Sequence, residues 1–170
     1  MECSCDECKN ACLHRPGFFL PQEIEPAARS KGMNVKEFFD KFLVVDYFLK
    51  GDYYKRDVFI LAPGTMGSKM GREAPFNPKG HCVFFNKKEL CDIHSDSRSN
   101  IIKPRECAFA DHVLSDKNYR KERMKIVKAW DNKQSQDMIR ELLGREPIVP
   151  KPTISDMIQM APSFDPFIKD

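Results

Sequence analysis

Seven cysteines, divided between two parts of the chain, constrain its fold more than any other feature. Four of them fall within the first twelve residues: Cys3, Cys5, Cys8 and Cys12. Three lie far downstream: Cys82, Cys91 and Cys107. Clustered thiols in a reducing compartment are more often metal ligands than disulfides, and an odd number would leave one thiol over in an all-disulfide scheme. The division therefore predicts that two parts of the chain are tied together at one metal centre.

The thiols narrow the choice of metal but leave the number of metal ions open. Cys5 and Cys8 have the CxxC spacing of a zinc knuckle. Soft thiolate ligands favour zinc or iron over magnesium or calcium. Six or seven thiols exceed the four ligands of one zinc, so spare cysteines, a two-metal site and a four-thiolate iron–sulfur cluster are all compatible. Cys3 is expected to be a spare thiol, and His81 and His94 are secondary ligand candidates.

Three downstream motifs accompany the N-terminal cysteines: Cys82-Val-Phe-Phe, Cys91-Asp-Ile-His94 and Lys103-Pro104-Arg-Glu-Cys107. Together with Cys5, Cys8 and Cys12, they resemble the YkgJ-type family of zinc- or iron-chelating proteins, whose signature is CxxCxxCC. Ala11 stands where that family has a third cysteine, His94 where it has tyrosine, and Lys103 where it has arginine. The resemblance extends over residues 3 to 112.

The resemblance implies a ligand set and says little about activity. The implied metal ligands are the six matching cysteines: Cys5, Cys8, Cys12, Cys82, Cys91 and Cys107. The implied cofactor is zinc or iron, with an iron–sulfur cluster compatible. Flagellin lysine-N-methylase is similar in its cysteine pattern, but most small members of the family have no agreed reaction.

Composition and charge fit one globular domain and exclude two classes of partner. Hydrophobic residues make up 41% of the chain and charged residues 31%, as in a soluble folded protein. The formal net charge of +3 gives no strongly basic face, so no nucleic-acid partner is expected. No apolar run reaches about 18 residues, so no membrane span is expected. No signal-peptide pattern follows Met1, and we expect a cytoplasmic location.

Hydrophobic periodicity predicts a small α+β domain over residues 1–144, with helices around one or two short β-hairpins and the cysteine-rich loop folded onto the metal centre. Helices are predicted from Pro21 to Gly32, after an Asn34 cap, and over 116–131 and 134–143. Hairpins are predicted over 44–62, with a turn at Lys50-Gly51-Asp52, and over 83–94. Residues 145–170 are predicted to be an extended Pro-rich tail with a short helix at 153–160, packing on the domain or on a protein partner.

Two further segments are candidates for binding: residues 64–81 and the run from Lys117 to Lys128. Residues 64–81 are predicted to form a flexible surface loop, with a lid or partner contact as the alternative. The glycine run from Gly64 to Gly71 lacks the GxxxxGK[ST] order of a phosphate loop, so a nucleotide site is rejected there. The cationic run from Lys117 to Lys128 is interpreted as a solvated helix face.

The sequence therefore favours a zinc- or iron-binding cysteine-rich protein that acts in metal handling or as an accessory or assembly subunit. The first alternative is a cluster-dependent enzyme or electron carrier, concerned with redox chemistry or methyl transfer. The second alternative is a thiol redox sensor. No Ser/His/Asp or Cys/His nucleophile set can be named, so an enzymatic activity is left open.

Overall fold

The structure, a computed structural model, describes residues 16–51, 55–86, 91–93, 104–109, 116–154 and 156–157. In this part of the chain it has five helices: α1 (Ile24–Ser30), α2 (Val35–Phe42), α3 (Arg105–Phe109), α4 (Asp116–Trp130) and α5 (Lys133–Leu143). Its two strands, β1 (Leu43–Phe48) and β2 (Val58–Pro63), form an antiparallel hairpin. The predicted α+β class is confirmed. None of the helices described has the length and apolar character needed to span a bilayer.

The first predicted helix is confirmed, although it has two parts. Pro21 to Glu23 form a 3₁₀ turn that leads directly into α1. Pro26 is tolerated because it lies in the first turn of α1, where a backbone N–H has no partner within the helix. Gly32, with φ of +67°, lies just beyond the C-terminal end of α1 in the left-handed conformation that glycine adopts readily.

The second helix begins at the predicted capping box. Asn34 Oδ1 accepts the N–H of Glu37 at 2.9 Å, and Glu37 Oε2 accepts the N–H of Asn34 at 2.9 Å. The apolar face of α2 buries Phe38 and Phe39 completely. Because Leu43 follows α2 without a loop, this buried face continues directly into β1.

The predicted hairpin is confirmed, but its turn is longer than predicted. The register runs from Leu43 opposite Pro63 to Phe48 opposite Val58. Residues 49–57 therefore connect the strands, and the second strand begins at Val58 instead of in the Tyr53 region. Tyr53 and Tyr54 lie outside the described residues.

Side chains and a neighbouring segment cover the outer edge of β2. The amide of Gln136 pairs with both backbone groups of Phe59, at 3.3 Å and 2.9 Å. The N–H of Phe19 donates to Leu61 O at 3.1 Å, and the indole of Trp130 donates to Phe19 O at 2.7 Å. An edge strand needs partners for its outward N–H and C=O groups, and these contacts supply them.

The second predicted hairpin, over residues 83–94, is wrong within the described residues. Cys82 makes one isolated antiparallel bridge to Thr65, and the segments at 83–84 and 92–93 are turns. Phe84 stacks on Phe38 and Phe42 of α2, at ring distances of 6.0 and 5.1 Å. The Phe84 ring is buried against α2, and the chain forms a turn at this residue. Residues 87–90 and His94 lie outside the described residues.

Residues 64–81 are anchored to the sheet, which differs from the predicted flexible surface loop. The N–H of Val45 donates to Arg72 O at 2.8 Å, and the N–H of Ala74 donates to Val45 O at 2.7 Å. The N–H of Met66 donates to His81 O at 2.8 Å at the other end of the segment. The outer edge of β1 thus takes its hydrogen bonds from this loop, just as β2 takes them from Phe19 and Gln136.

The chain beyond α5 contacts that loop through one ion pair. Gly144, with φ of +70°, ends α5, and the Arg145 guanidinium meets both carboxylate oxygens of Glu73 at 2.5 and 2.6 Å. Glu73 also accepts the N–H of Ile148 at 3.0 Å. Burial acts to raise the pKa of Glu73, but the hydrogen bonds from Arg145 and Ile148 outweigh it and lower that pKa. Further on, Asp156 accepts the N–H of Thr153 at 2.8 Å, the predicted cap of the short C-terminal helix.

Arg145→Ala is expected to lower the free energy of unfolding at pH 7, because it leaves the largely buried Glu73 carboxylate without its charged partner. Protonation of Glu73 removes this charge, so the difference from wild type should shrink as the pH falls below its ordinary value of 4.5. Urea unfolding of the variant and of wild type, measured from about pH 3 to about pH 7, tests both the loss of stability and its dependence on pH.

Arg29→Ala is the matched control for Arg145→Ala. Arg29 pairs with Glu25 at 3.9 Å, but both side chains are about two-thirds exposed. An exposed pair contributes little, so this change is expected to stay within about 0.5 kcal/mol of wild type. Equal effects of the two substitutions would show that the Glu73 pair does not hold the tail.

Candidate functional site

Three of the six predicted metal ligands lie in the described part of the chain. Cys82 is buried in the core beside Thr65, Cys91 is half-buried against the core, and Cys107 is half-buried in α3. The remaining predicted ligands, Cys5, Cys8 and Cys12, lie outside the described residues, as do Cys3 and His94. His81 is exposed, and its ring meets the ring of Phe85 edge-on at 5.7 Å.

No three His, Cys, Asp or Glu side chains among the described residues are placed to hold one metal ion. Cys82, Cys91 and Cys107 therefore do not form a three-ligand site by themselves. A metal centre that includes any of them needs further ligands from outside the described residues.

Cys107 is in contact with the chain that leaves the cysteine-rich segment. The N–H of Gly17 donates to Cys107 Sγ at 3.1 Å. The two backbones approach so closely that a Cβ on Gly17 would lie 2.7 Å from Cys107 N and 2.8 Å from Cys107 Sγ. Glycine is required here by the close approach, and the sulfur of Cys107 is held as a hydrogen-bond acceptor.

Glu106, the residue before Cys107, fixes this contact from the interior. Its side chain is buried, with 3% of the residue exposed. Glu106 Oε2 accepts the N–H of Phe18 at 2.9 Å, and the N–H of Glu106 donates to Phe18 O at 3.2 Å. The hydroxyl of Tyr119 donates to the other carboxylate oxygen. A buried carboxylate is tolerated when it is hydrogen-bonded in this way.

Arg123 supplies the positive charge beside Glu106. Its Nε lies 3.1 Å from Glu106 Oε1, but this N–H is not aligned on any acceptor among the described residues, so the pair is mainly electrostatic. The guanidinium lies over the rings of Phe18 and Phe48, 4.9 and 5.1 Å from their centres. The cation therefore contacts two adjacent aromatic rings while it faces the carboxylate.

Tyr119 and Cys107 belong to the same electrostatic neighbourhood. Burial is the main cause that raises the pKa of Tyr119, and its hydrogen bond to Glu106 and the charge of that carboxylate raise it further. Cys107 contributes in the same direction, and only Arg123 opposes it. The Tyr119 hydroxyl stays neutral and acts as a donor at any physiological pH.

Asp46 on β1 is the second carboxyl group near Arg123. Burial is the main cause that raises the pKa of Asp46, and the charge of Glu106 adds to it. The N–H of Tyr47, which donates to Asp46 Oδ1 at 2.7 Å, and the charge of Arg123 act the other way. Asp46 is thus an acidic group whose charged form is penalised by the protein interior.

Cys107 is a candidate ligand from the sequence alone, but the residues that hold it are not predicted. Tyr119 and Arg123 lie four residues apart on a predicted helix, which places them on one face. Nothing in that spacing indicates that the partner is Glu106, because α3 and α4 come together only in the folded chain. Asp46 gives no sequence signal either, since it follows Val44 and Val45 in an otherwise ordinary strand pattern.

Comparisons of the chain with models of protein families, with curated proteins and with solved structures found no match. The resemblance to the YkgJ-type family accordingly stays a prediction drawn from the cysteine pattern.

Gly17→Ala is expected to lower the free energy of unfolding by about 1–3 kcal/mol, because the new methyl group would overlap Cys107 and force α3 away. Gly51→Ala is the matched control, since its Cβ would have Leu49 O as its nearest neighbour at 3.9 Å. Thermal and urea unfolding compare the two variants. If Gly17→Ala is as stable as Gly51→Ala, the close approach to Cys107 is not maintained in solution.

Asp46→Asn is expected to stabilise the protein at pH 7. The folded-state pKa of Asp46 is raised above 3.8, so the folded protein keeps this proton longer than the unfolded chain does. Stability therefore falls as the pH rises through that range in wild type, and the variant escapes this loss. The stability difference between the two proteins should grow from about pH 4 towards neutrality.

Asp57→Asn is the control for Asp46→Asn. Asp57 is exposed and also accepts a backbone N–H, from Lys50 at 2.7 Å. Its replacement is expected to change stability by less than about 0.5 kcal/mol. A loss of stability in Asp46→Asn at pH 7 would mean that attraction to Arg123 exceeds the penalty of burial.

Proposed function

We propose that this protein binds zinc or iron through thiolates of the N-terminal cysteine segment together with Cys107. In this role it acts in metal handling or as an accessory or assembly subunit. The observation that carries the proposal is the hydrogen bond from the N–H of Gly17 to Cys107 Sγ. It brings the sulfur of Cys107 to the chain segment that follows the N-terminal cysteines.

Covalent reach supports this proposal. Cys12 precedes Gly17 by five residues. A fully extended chain of that length spans at most roughly 17 Å, and any turn shortens it. Binding of one metal ion by Cys12 and Cys107 is therefore compatible with the covalent reach of the chain, although the two cysteines are far apart in sequence. Cys5 and Cys8 belong to the same N-terminal segment and have the CxxC spacing of a zinc knuckle.

The surroundings of Cys107 suit a thiolate ligand. Hydrogen bonds to a coordinating sulfur orient it and tune the metal, and the Gly17 N–H is such a donor. The Glu106 carboxylate fixes Phe18 against α3, so contacts within the protein hold Cys107 in place. A bound zinc or iron would join the two segments, and its binding free energy would add to folding stability.

Cys82 and Cys91 complete the proposed ligand set on the strength of the cysteine pattern and of the proposed YkgJ-type membership. Their positions do not form a three-ligand group with Cys107 among the described residues. An iron–sulfur cluster held by four thiolates fits the ligand chemistry as well as zinc does. A reducing compartment, such as the cytoplasm, would keep all these thiols available as ligands.

A protein partner is part of the proposal, because an accessory subunit needs one. Exposed apolar side chains on the tail and on the 64–81 loop support this role: Ile148, Ile154 and Met157, and Met66. Hydrogen bonds from Thr153 are the main cause that lowers the pKa of Asp156, and the nearby charge of Lys79 on the 64–81 loop lowers it further. The two predicted contact regions thus lie next to each other.

The proposal is tested by the metal and acid-labile sulfide content of the full-length protein purified without oxygen. We expect stoichiometric metal in wild type and its loss in Cys107→Ser, because a ligand is removed. Cys3→Ser is the matched control, since Cys3 is the predicted spare thiol, and it should keep the metal. Absence of stoichiometric metal from wild type, or equal content in both variants, would contradict the proposal.

The same measurement, together with the state of the thiols under mild oxidant, separates the alternatives. About one zinc per chain with no sulfide favours metal handling or an accessory role. About four irons with matching sulfide and a brown colour favour a cluster-dependent enzyme or electron carrier. Disulfides that form under mild oxidant without metal would instead favour a thiol redox sensor.

A further inference from the structure

A cationic cleft lies on the face of the protein formed by α4 and the β1–β2 connection. Its volume is about 660 Å³, and its lining has seven residues: Lys55, Arg56, Lys121, Met124, Lys125, Lys128 and Asp131. Lys121, Lys125 and Lys128 follow one another at helical spacing of four and three residues, so they share one face of α4. Lys55 and Arg56 belong to the connection between the strands. The sequence places these two groups 65 or more residues apart, and only the fold forms the cleft.

One ion pair fixes the connection against the C-terminal end of α4. Arg56 Nε donates to Asp131 Oδ1 at 2.7 Å, and a second guanidinium nitrogen lies 2.6 Å from the same oxygen. Asp131 follows the last residue of α4, so this contact brings the neighbouring Lys55 to the lysine face of the helix. The pair also neutralises the only carboxylate in the lining.

The remaining positive charge is concentrated and accessible. Lys125 pairs with Glu122 at 2.5 Å, but no ion pair joins Lys55, Lys121 or Lys128 to a carboxylate among the described residues. These three side chains are exposed. Like charges around one concave surface repel each other and produce a positive potential in the cleft. An anionic ligand would relieve this repulsion.

We propose that this cleft binds a small anion that carries two or more phosphate groups. Clefts of a few hundred Å³ suit small molecules. Four of its five cations are lysines, which bind phosphate as point charges, so several of them can contact the charged oxygens of neighbouring phosphate groups. Met124 adds a flexible apolar contact for the uncharged part of such a ligand.

The size of the charged area distinguishes this ligand from a macromolecular one. Nucleic acids bind along an extended basic face, whereas the net charge of the whole chain is only +3. The cleft is bounded by the β1–β2 connection on one side and by the Arg56–Asp131 pair at the end of α4. A bounded cluster of this kind matches two or three neighbouring phosphates. This site does not depend on the proposed metal centre.

The test is isothermal titration of the full-length protein with inorganic tripolyphosphate and with adenosine triphosphate without magnesium. We expect saturable 1:1 binding, with a Kd on the order of 10–100 μM in about 0.1 M salt. Raising the salt to about 0.5 M should weaken it at least about tenfold, because exposed charges are screened. If the nucleotide binds more tightly than tripolyphosphate, its uncharged part contributes to binding through the contact with Met124. If the two Kd values are equal, the phosphate groups alone account for the affinity.

The double variant Lys121→Glu/Lys128→Glu should weaken binding by at least about tenfold, since it reverses two of the charges. Lys41→Glu/Lys69→Glu changes the net charge equally at two exposed lysines elsewhere and should leave the Kd within about twofold. The metal content of the protein, measured before and after titration, shows whether the phosphate compound interacts with a bound metal instead of with the cleft.

Three results would overturn the proposal. The first is no binding of either phosphate compound up to about 1 mM. The second is equal weakening in both double variants, which would reflect net charge alone. The third is binding of a short single-stranded RNA or of hexaglutamate at least about tenfold tighter than tripolyphosphate, which would assign the cleft to a macromolecular partner.

Discussion

Three consecutive residues, Gly17 to Phe19, carry the backbone hydrogen bonds on which the rest of the structure depends. Gly17 donates to Cys107 Sγ, Phe18 exchanges hydrogen bonds with Glu106, and Phe19 joins Leu61 of β2 to the indole of Trp130. A buried backbone must satisfy each of its polar groups, and here each residue does so with a different element. One short extended segment therefore sets the relative positions of α3, α4 and the hairpin.

The buried charges around this segment differ in how well they are stabilised. Glu106 receives hydrogen bonds from Phe18 and Tyr119 and faces the charge of Arg123. Asp46 shares Arg123 but is dominated by the loss of solvent, so its charged form is disfavoured. Removing one partner of a buried ion pair lowers the stability of the fold by more than the intact pair raises it. Glu106 is therefore the position at which the loss of a partner has the larger effect on stability. Its place beside Cys107 connects this network to the proposed metal centre.

The two proposed binding regions lie at separate parts of α4 and its neighbours. Tyr119 and Arg123 face inward towards Glu106 and α3, whereas Lys121, Lys125 and Lys128 line the external cleft. A single helix thus supports the Cys107 turn with one face and presents its cations with the other. This division explains how a helix rich in lysine and arginine is still packed through Ile126, Val127 and Trp130.

Local signals in the sequence determined a large share of the secondary structure and the candidate ligands. The Asn34–Glu37 capping box, the left-handed glycines at 32 and 144 and the apolar spacing of α2 act over a few residues, so they are readable without the fold. The cysteine pattern likewise names the candidate ligands. Tertiary structure alone decided that residues 83–84 and 92–93 form turns with Phe84 packed on α2, that Arg72 and Ala74 pair with β1, and that Glu106 holds the Cys107 turn. Each of these contacts joins residues distant in sequence, and its free energy comes from burial and from partners that local propensity does not encode.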